Sequence, residues 1–197
     1  MLFRSEEPIL RSAFKLATPI GGSERERLAH AGINTLQATR SSGRAHLTPC
    51  TLAGNAAGAA DLHPLPARRL TLFVVRSIER GARWLLTAPN EPASWQRAQA
   101  QVEHFLGALD AEGAFAGSEP KDSYFVICDE RVNRPETIAE GKVHLLIGIA
   151  AVRPAEFHAW LITYQDHASR ARSVAVNRLA TAQHRVEWEI ETAILRG

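Results

Sequence analysis

Lysine, methionine, tyrosine and cysteine are all scarce in this chain of 197 residues: Lys15, Lys121 and Lys142 are its only lysines, and it has one Met, two Tyr and two Cys. Two cysteines cannot build a disulfide framework. No apolar run approaches the ~18 residues of a helical membrane span. Charge of one sign is missing too, since 23 Lys and Arg face 21 Asp and Glu for a net +2. That balance argues against a dedicated nucleic-acid or membrane-surface protein. Glu6, Glu7 and Arg11 would interrupt the apolar core of any secretory signal, so none is expected. With 45% hydrophobic and 22% charged residues, the expectation is a globular, cytoplasmic chain of one domain with or without arms.

The motifs of common enzymes are absent as well. There is no GxSxG elbow, no GxGxxG and no GxxxxGK[ST]. Asp129 and Glu130 are adjacent and would point to opposite sides of a strand end, so they cannot share a proton. His46, Cys50, Cys128 and His144 form the one conceivable zinc set, but without a CxxC or HxxxH pair they read as ordinary core and strand residues. No catalytic residue, metal or cofactor is assigned.

What is present is periodicity. Ser23 with Glu26 has the capping-box spacing of a helix start, and Gly32 should stop that helix. Ile33–Thr39 and Arg44–Thr48 read as short strands, and 51–67 as a loop. Leu70, Val74, Ile78, Ala82 and Leu85 share one helical face, with Arg76, Glu79, Arg80 and Arg83 off it. Ala88–Pro89–Asn90 should end that helix, Asn90 and Pro92 should open the next as cap and first residue, and Gly113 should close it. Trp84, Trp95, Phe105, Phe157 and Trp160 read as core. Ser123–Cys128, Lys142–Val152 and His158–Tyr164 read as strands, with one helical turn over 134–139. The run LLIGIAAV implies a strand covered on both faces. Residues 168–197 stay open: Ala175, Leu179, Ala182, Val186, Ile190 and Ala193 have helical spacing, whereas Arg185–Glu191 alternates as a strand would.

Several of these segments resemble one family. Arg68–Arg69, Trp84, Pro89–Asn90–Glu91–Pro92, Trp95, Phe105–Leu106 and Gly113–Ala114 to Gly117 occur in an order that resembles the C-terminal domain of contractile phage tail sheath proteins. SYFVICDE (123–130) and EGKVHLLIGIAAVRPAEF (140–157), with its Gly-x-apolar strand and Arg-Pro-Ala-Glu-Phe corner, continue the resemblance, and 28–54 resembles the lead-in. Pro49–Cys50–Thr51–Leu52 departs from the family's Gly-Ala-Arg-Thr-Leu and lacks its arginine.

The resemblance implies an α+β fold, a small mixed β-sheet flanked by two long helices, with extended N- and C-terminal arms. It implies an N-terminal arm over 1–22, a tail-sheath C-terminal-like domain over 23–167 and a C-terminal helix or arm over 168–197. The implied protein is a structural subunit, not an enzyme, that needs no cofactor. It would polymerise with itself around a tail tube protein, meet baseplate or tail terminator proteins, and contract. Its place would be a virion tail or related injection machine, assembled in the bacterial host cytoplasm. Family members usually carry further domains before this one, so the alternative expectation is an end-specific terminator, collar or baseplate-proximal adaptor forming a closed ring. Glu7, Ile9, Leu10 and Phe14, with Val186, Trp188, Ile190 and Ile194, are the expected inter-subunit arms. Arg76, Arg80, Arg83, Arg170, Arg172 and Arg178 are the expected tube-facing residues.

Overall fold

The structure is a computed structural model that describes residues 18, 20–38, 45–47, 64–174, 177–180 and 186–189. The expected arm residues Glu7, Ile9, Leu10, Phe14, Ile190 and Ile194 lie outside them, as does Cys50. Packing divides the chain into two units, Met1–Leu72 and Phe73–Gly197, with the division inside a helix.

In the first unit, α1 (Gly22–His30) begins at Gly21, whose extended backbone caps it without any side-chain bond. The Ser23–Glu26 capping box is therefore not formed: both residues already lie within the helix, and Ser23 falls two residues past the cap. The stop at Gly32 is as expected. Gly32 adopts φ 75°, and the bonds Gly32 N–H to Ala29 O and Ile33 N–H to Leu28 O close a Schellman motif. β1 (Leu36–Ala38) then pairs antiparallel with β2 (Ala45–Leu47), as the two short runs suggest. The first turns of α2 (Leu65–Gly81) complete this unit.

The second unit holds the rest of α2, a 3-10 turn at Arg83–Leu86, α3 (Pro92–Ala111), α4 (Pro120–Ser123) and β3 (Tyr124–Ile127). These are followed by α5 (Pro135–Ala139), β4 (Val143–Ile149), β5 (His158–Gln165), β6 (Ala168–Val174), β7 (Asn177–Ala180) and β8 (Val186–Glu189). The expected apolar stripe is buried throughout: Leu70, Val74, Ile78, Ala82 and Leu85 all lose nearly all exposure. The α-helix ends at Gly81, ahead of the Ala88–Asn90 stop read from the sequence, and the chain tightens into the 3-10 turn before reaching α3. Pro92 does open α3, but its cap is Glu91. Asn90 instead bridges: its Nδ2 donates to Lys142 O at 2.9 Å and its Oδ1 accepts from Trp95 Nε1 at 2.9 Å. Asn90 sits one residue too early for a cap, and two long-range bonds occupy its amide.

Strands β3-β4-β5-β6 form one sheet in that order, every pair antiparallel. The fold is α+β as expected, but the sheet is antiparallel rather than mixed. Its connections explain this, because β5 and β6 are joined by a two-residue turn, Asp166–His167, with φ 48° and 69°. Two consecutive positive φ values make the hairpin turn that matches strand twist, and Asp and His tolerate that region. The expected boundary at residue 167 falls in this turn, so 168–174 belongs to the sheet. Over 168–174, 177–180 and 186–189 the helical reading is also replaced: β6 is a strand, and β7 pairs with β8 in a two-stranded sheet. That part of Arg185–Glu191 follows its alternation, not the 3.6 spacing.

Every residue of β4 is buried, which is why it reads as a continuous apolar run. One face of the sheet carries Val126, Leu145, Ile147, Trp160, Ile162 and Tyr164 and takes the helices. Tyr164 Oη donates to Ile78 O at 3.1 Å, and Cys128 N–H donates to Gln99 Oε1 of α3 at 3.1 Å. The opposite face carries a second core of Phe125, Ile127, Val132, Leu146, Ala159 and Leu161, with Phe157 and Val174 against it. Trp95 and Trp160 are buried as expected. Trp84, Phe105 and Phe157 are half-buried, and Trp84 carries the Arg97 guanidinium 4.6 Å above its ring.

Candidate functional site

The register of the sheet decides what its second face presents. His144 pairs with Thr163 and Thr163 with Arg170, so these three form one row. Leu146, Leu161 and Arg172 form the next row, two residues along each strand. The apolar core on this face therefore gives way, toward the start of β4, to a polar end bearing Lys142, His144, Thr163, Gln165, Arg170 and Arg172. These residues, with Asp166, Ala168 and Ser169, line a concavity of ≈ 460 Å³.

On the helix side, Arg76, Glu79, Arg80, Arg83 and Ser169 line a second concavity of ≈ 300 Å³. Ser169 is common to both, so the two hollows meet at the first residues of β6. Five of the six arginines expected to face a partner are thus gathered around one strand end, from segments about ninety positions apart. Arg178 lies in β7, paired with Trp188 of β8. Trp188 and Val186, expected arm residues, are in a strand paired with β7.

The surface is basic with few compensating acids. Glu79, read from the sequence as lying off the apolar face, is only 7% exposed and pairs with Arg76 at 3.1 Å. That i, i+3 partner is what permits its burial. Lys142 pairs with Glu140 at 2.6 Å. Among the described residues no ion pair engages Arg80, Arg83, Arg170 or Arg172. β6 itself is an edge strand, with no strand partner on its outer side among the described residues.

The position of His144 is set from behind by Asn133, which the sequence reading passed over. The Asn133 amide donates to His144 O at 3.0 Å and accepts from His144 N–H at 2.7 Å, taking the place of a strand neighbour. Gly141, with φ 68°, ends α5 in a Schellman motif and turns the chain into β4 at Lys142. His144 Nδ1 lies 2.9 Å from Thr163 Oγ1. Burial first, then the charges of Lys142 and Arg172, push the imidazole down to about 4, against an opposing pull from Glu140. It is neutral at physiological pH.

Nucleophilic and metal chemistry find little support here. Burial pushes the Cys128 thiol up to about 12. Burial of Asp129 would raise its carboxyl, but the hydrogen bonds and charge of Arg131 outweigh that and hold it below the ordinary carboxylate range. Among the described residues no group of three His, Cys, Asp or Glu is placed to hold a metal ion. No described helix is long and apolar enough to cross a membrane.

Comparison with solved structures shows what scaffold carries this surface. A chain of the anti-feeding prophage baseplate matches with a TM-score of 0.62 and 26% identity over 77% of this chain. The sheath complex of PVC, an extracellular contractile injection system, matches in its contracted state with a TM-score of 0.62 and 25% identity, again over 77%. The contracted helical sheath of the anti-feeding prophage gives 0.61 and 26% over the same share. The chain is sheath-like. It spans 41–43% of the length of those chains. No family model and no curated protein matches it.

The motifs that carry the sequence resemblance occupy defined places in the sheath-like fold. Gly148, from the Gly-x-apolar strand, faces Phe125 across the sheet, and Phe125 meets Phe157 of the Arg-Pro-Ala-Glu-Phe corner edge-on with centroids 5.3 Å apart. Within that corner Ala155 adopts φ 61° and donates its N–H to Asp122 O, while Arg153 pairs with Glu156 at 3.3 Å.

Proposed function

We propose that this chain is a structural subunit of a contractile sheath that polymerises with copies of itself around a rigid tube and shortens to drive the tube through a cell envelope. The observation that carries the reading is the likeness to two sheath assemblies in the contracted state at 25–26% identity. The open outer edge of β6 supports it, because an unpaired strand edge is the natural acceptor for an extended arm from a neighbouring subunit. Residues 1–22 and the segment around Val186–Ile194 are the arms in this account. The role is mechanical, not enzymatic.

The basic surface around β6 is assigned to the tube. Arg76, Arg80, Arg83, Arg170 and Arg172 dock on an acidic partner surface through contacts that salt screens, which suits an attachment that must release during contraction. Arg178 is placed in the same role by sequence alone. A second reading has its own support: one similar structure is a baseplate chain. In that reading the subunit is an end-specific terminator, collar or baseplate-proximal adaptor that closes a single ring. Both readings place the protein in a phage-like tail assembled inside the bacterial host.

Deletion of residues 1–22 or of 186–197 tests the arms. Each truncated chain should sediment as a folded monomer, with unchanged circular dichroism, under conditions where the full chain assembles. A truncated chain that still forms tubes or rings removes the arm assignment.

A further inference from the structure

The hollow on the open face of the sheet has a feature that docking on a flat acidic surface does not need. Two buried nitrogens there lack partners: His144 Nε2 and Arg172 Nη2 make no hydrogen bond within the described structure. His144 is 4% exposed, so its ring cannot reach bulk water by rotating outward. Buried polar atoms of native proteins are almost always satisfied, and an exception points to a water, an ion or a ligand. A water would satisfy a neutral imidazole, but it would leave the charge unaddressed. Lys142, Arg170 and Arg172 line the same hollow, and the acids set against them are Asp166 in the lining and Glu140 on Lys142.

The charge of the lining selects the sign of the guest, with Lys142, Arg170 and Arg172 against Asp166 and Glu140. His144 Nδ1 lies 2.9 Å from Thr163 Oγ1, and when the hydroxyl donates in that contact the ring proton sits on Nε2. In that tautomer the ring presents an N–H to the hollow, alongside the Arg172 guanidinium and the Lys142 ammonium. Donors of this density, with excess positive charge and a buried neutral N–H, match a group made of several anionic oxygens. We propose that this hollow is a binding site for a phosphate group, free or as a monoester, held by Lys142, Arg170 and Arg172, with His144 Nε2–H as its buried donor. The ≈ 460 Å³ volume exceeds a bare phosphate and leaves room for the remainder of an ester. The site does not depend on the sheath reading, since every group in it belongs to one chain.

The test uses the full chain labelled with 15N and transferred from phosphate-free buffer. The His144 ring resonances are assigned among the eight histidines by comparison with a His144→Gln variant. Inorganic phosphate, phenyl phosphate and acetate are titrated separately at constant ionic strength. The expected result is a saturable shift of the His144 Nε2 resonance with inorganic phosphate, weakened about tenfold by Arg172→Gln, as loss of one charge-assisted donor implies. Arg172 is half-buried on an edge strand, and its replacement should leave the fold unchanged by circular dichroism. An equal response to phenyl phosphate identifies an esterified ligand, and its absence identifies the free ion. No saturable response to either phosphate, a response to acetate as strong as to phosphate, or full binding by the Arg172→Gln variant each overturns the site.

Discussion

Gly148 offers the sharpest test of the packing that defines this fold. It lies opposite Phe125 in the β3–β4 pairing, and the phenyl ring occupies the space a side chain would fill. A Cβ built at Gly148 would stand 2.7 Å from Phe125 Cδ1 and closer still to Cε1 and Cζ. All three contacts are to the Phe125 ring, so the ring must shift, and Gly148→Ala should displace it from its edge-on contact with Phe157. Overpacking costs about 1–3 kcal/mol, and loss of the aromatic pair about 0.5–1.5 kcal/mol. Stiffening of the unfolded chain returns about 0.4–1 kcal/mol. The net is a destabilisation of about 2 kcal/mol, which for a chain of this size lowers Tm by about 4–8 °C. Scanning calorimetry with a double-mutant cycle reads it. Phe125→Ala alone removes a buried ring at a cost of about 3–5 kcal/mol. Combined with Gly148→Ala it should cost less than the sum of the two, because the new methyl group enters the vacated space. A Gly148→Ala protein melting within about 1 °C of the parent, or a strictly additive cycle, refutes the contact.

Three further outcomes follow from buried polar groups. His144 is held neutral down to about 4 against an ordinary 6.5, so the unfolded chain takes up its proton first as pH falls. Stability is intact above about 6.5 and declines between about 6.5 and about 4, by about 3 kcal/mol at the limit; urea titrations of the parent and His144→Gln should diverge over that window in phosphate-free buffer. The Cys128 thiol, raised to about 12 from 9.0, contributes stability below pH 9 that is lost as pH rises from there toward 12. In a Cys50→Ser background Cys128 should not react with a disulfide reagent at pH 8 until denaturant is added, and rapid native reaction contradicts its burial. Asn133→Ala removes both bonds to the His144 backbone and should cost about 2–3 kcal/mol by denaturant unfolding; a loss below about 0.5 kcal/mol means that the amide does not brace β4.

Where the sequence could be read correctly, the signal was a strong local period. The Leu70-to-Leu85 stripe, the unbroken apolar run of β4 and the stop at Gly32 each rest on near neighbours in the chain. β6 escaped because ASRARSV has neither apolar alternation nor β-branched residues except at its end. An edge strand with one residue in two pointing at solvent has little need of them. Caps failed for a related reason. Ser23 and Asn90 have the right chemistry, but a displacement of one or two residues removes the role, and the long-range partners Lys142 and Trp95 claim Asn90. The grouping of Arg76, Arg80 and Arg83 with Arg170 and Arg172 depends on how α2 lies against the helix face of the sheet and on the β5–β6 register. Lys142 and His144 are two apart in the expected strand 142–152, a spacing that puts both on one face. That Thr163 and Arg170 stand in one row with His144 is a property of pairing, which no local period encodes.

Cryo-electron microscopy of the purified full chain, across a concentration series at low and high salt, tests the central claim most directly. A sheath subunit predicts helical tubes, or stacked rings in which an extended segment of one copy runs along the outer edge of β6 in its neighbour. A monomer at every concentration, with β6 unpaired and no assembly when tube protein is supplied, contradicts the account.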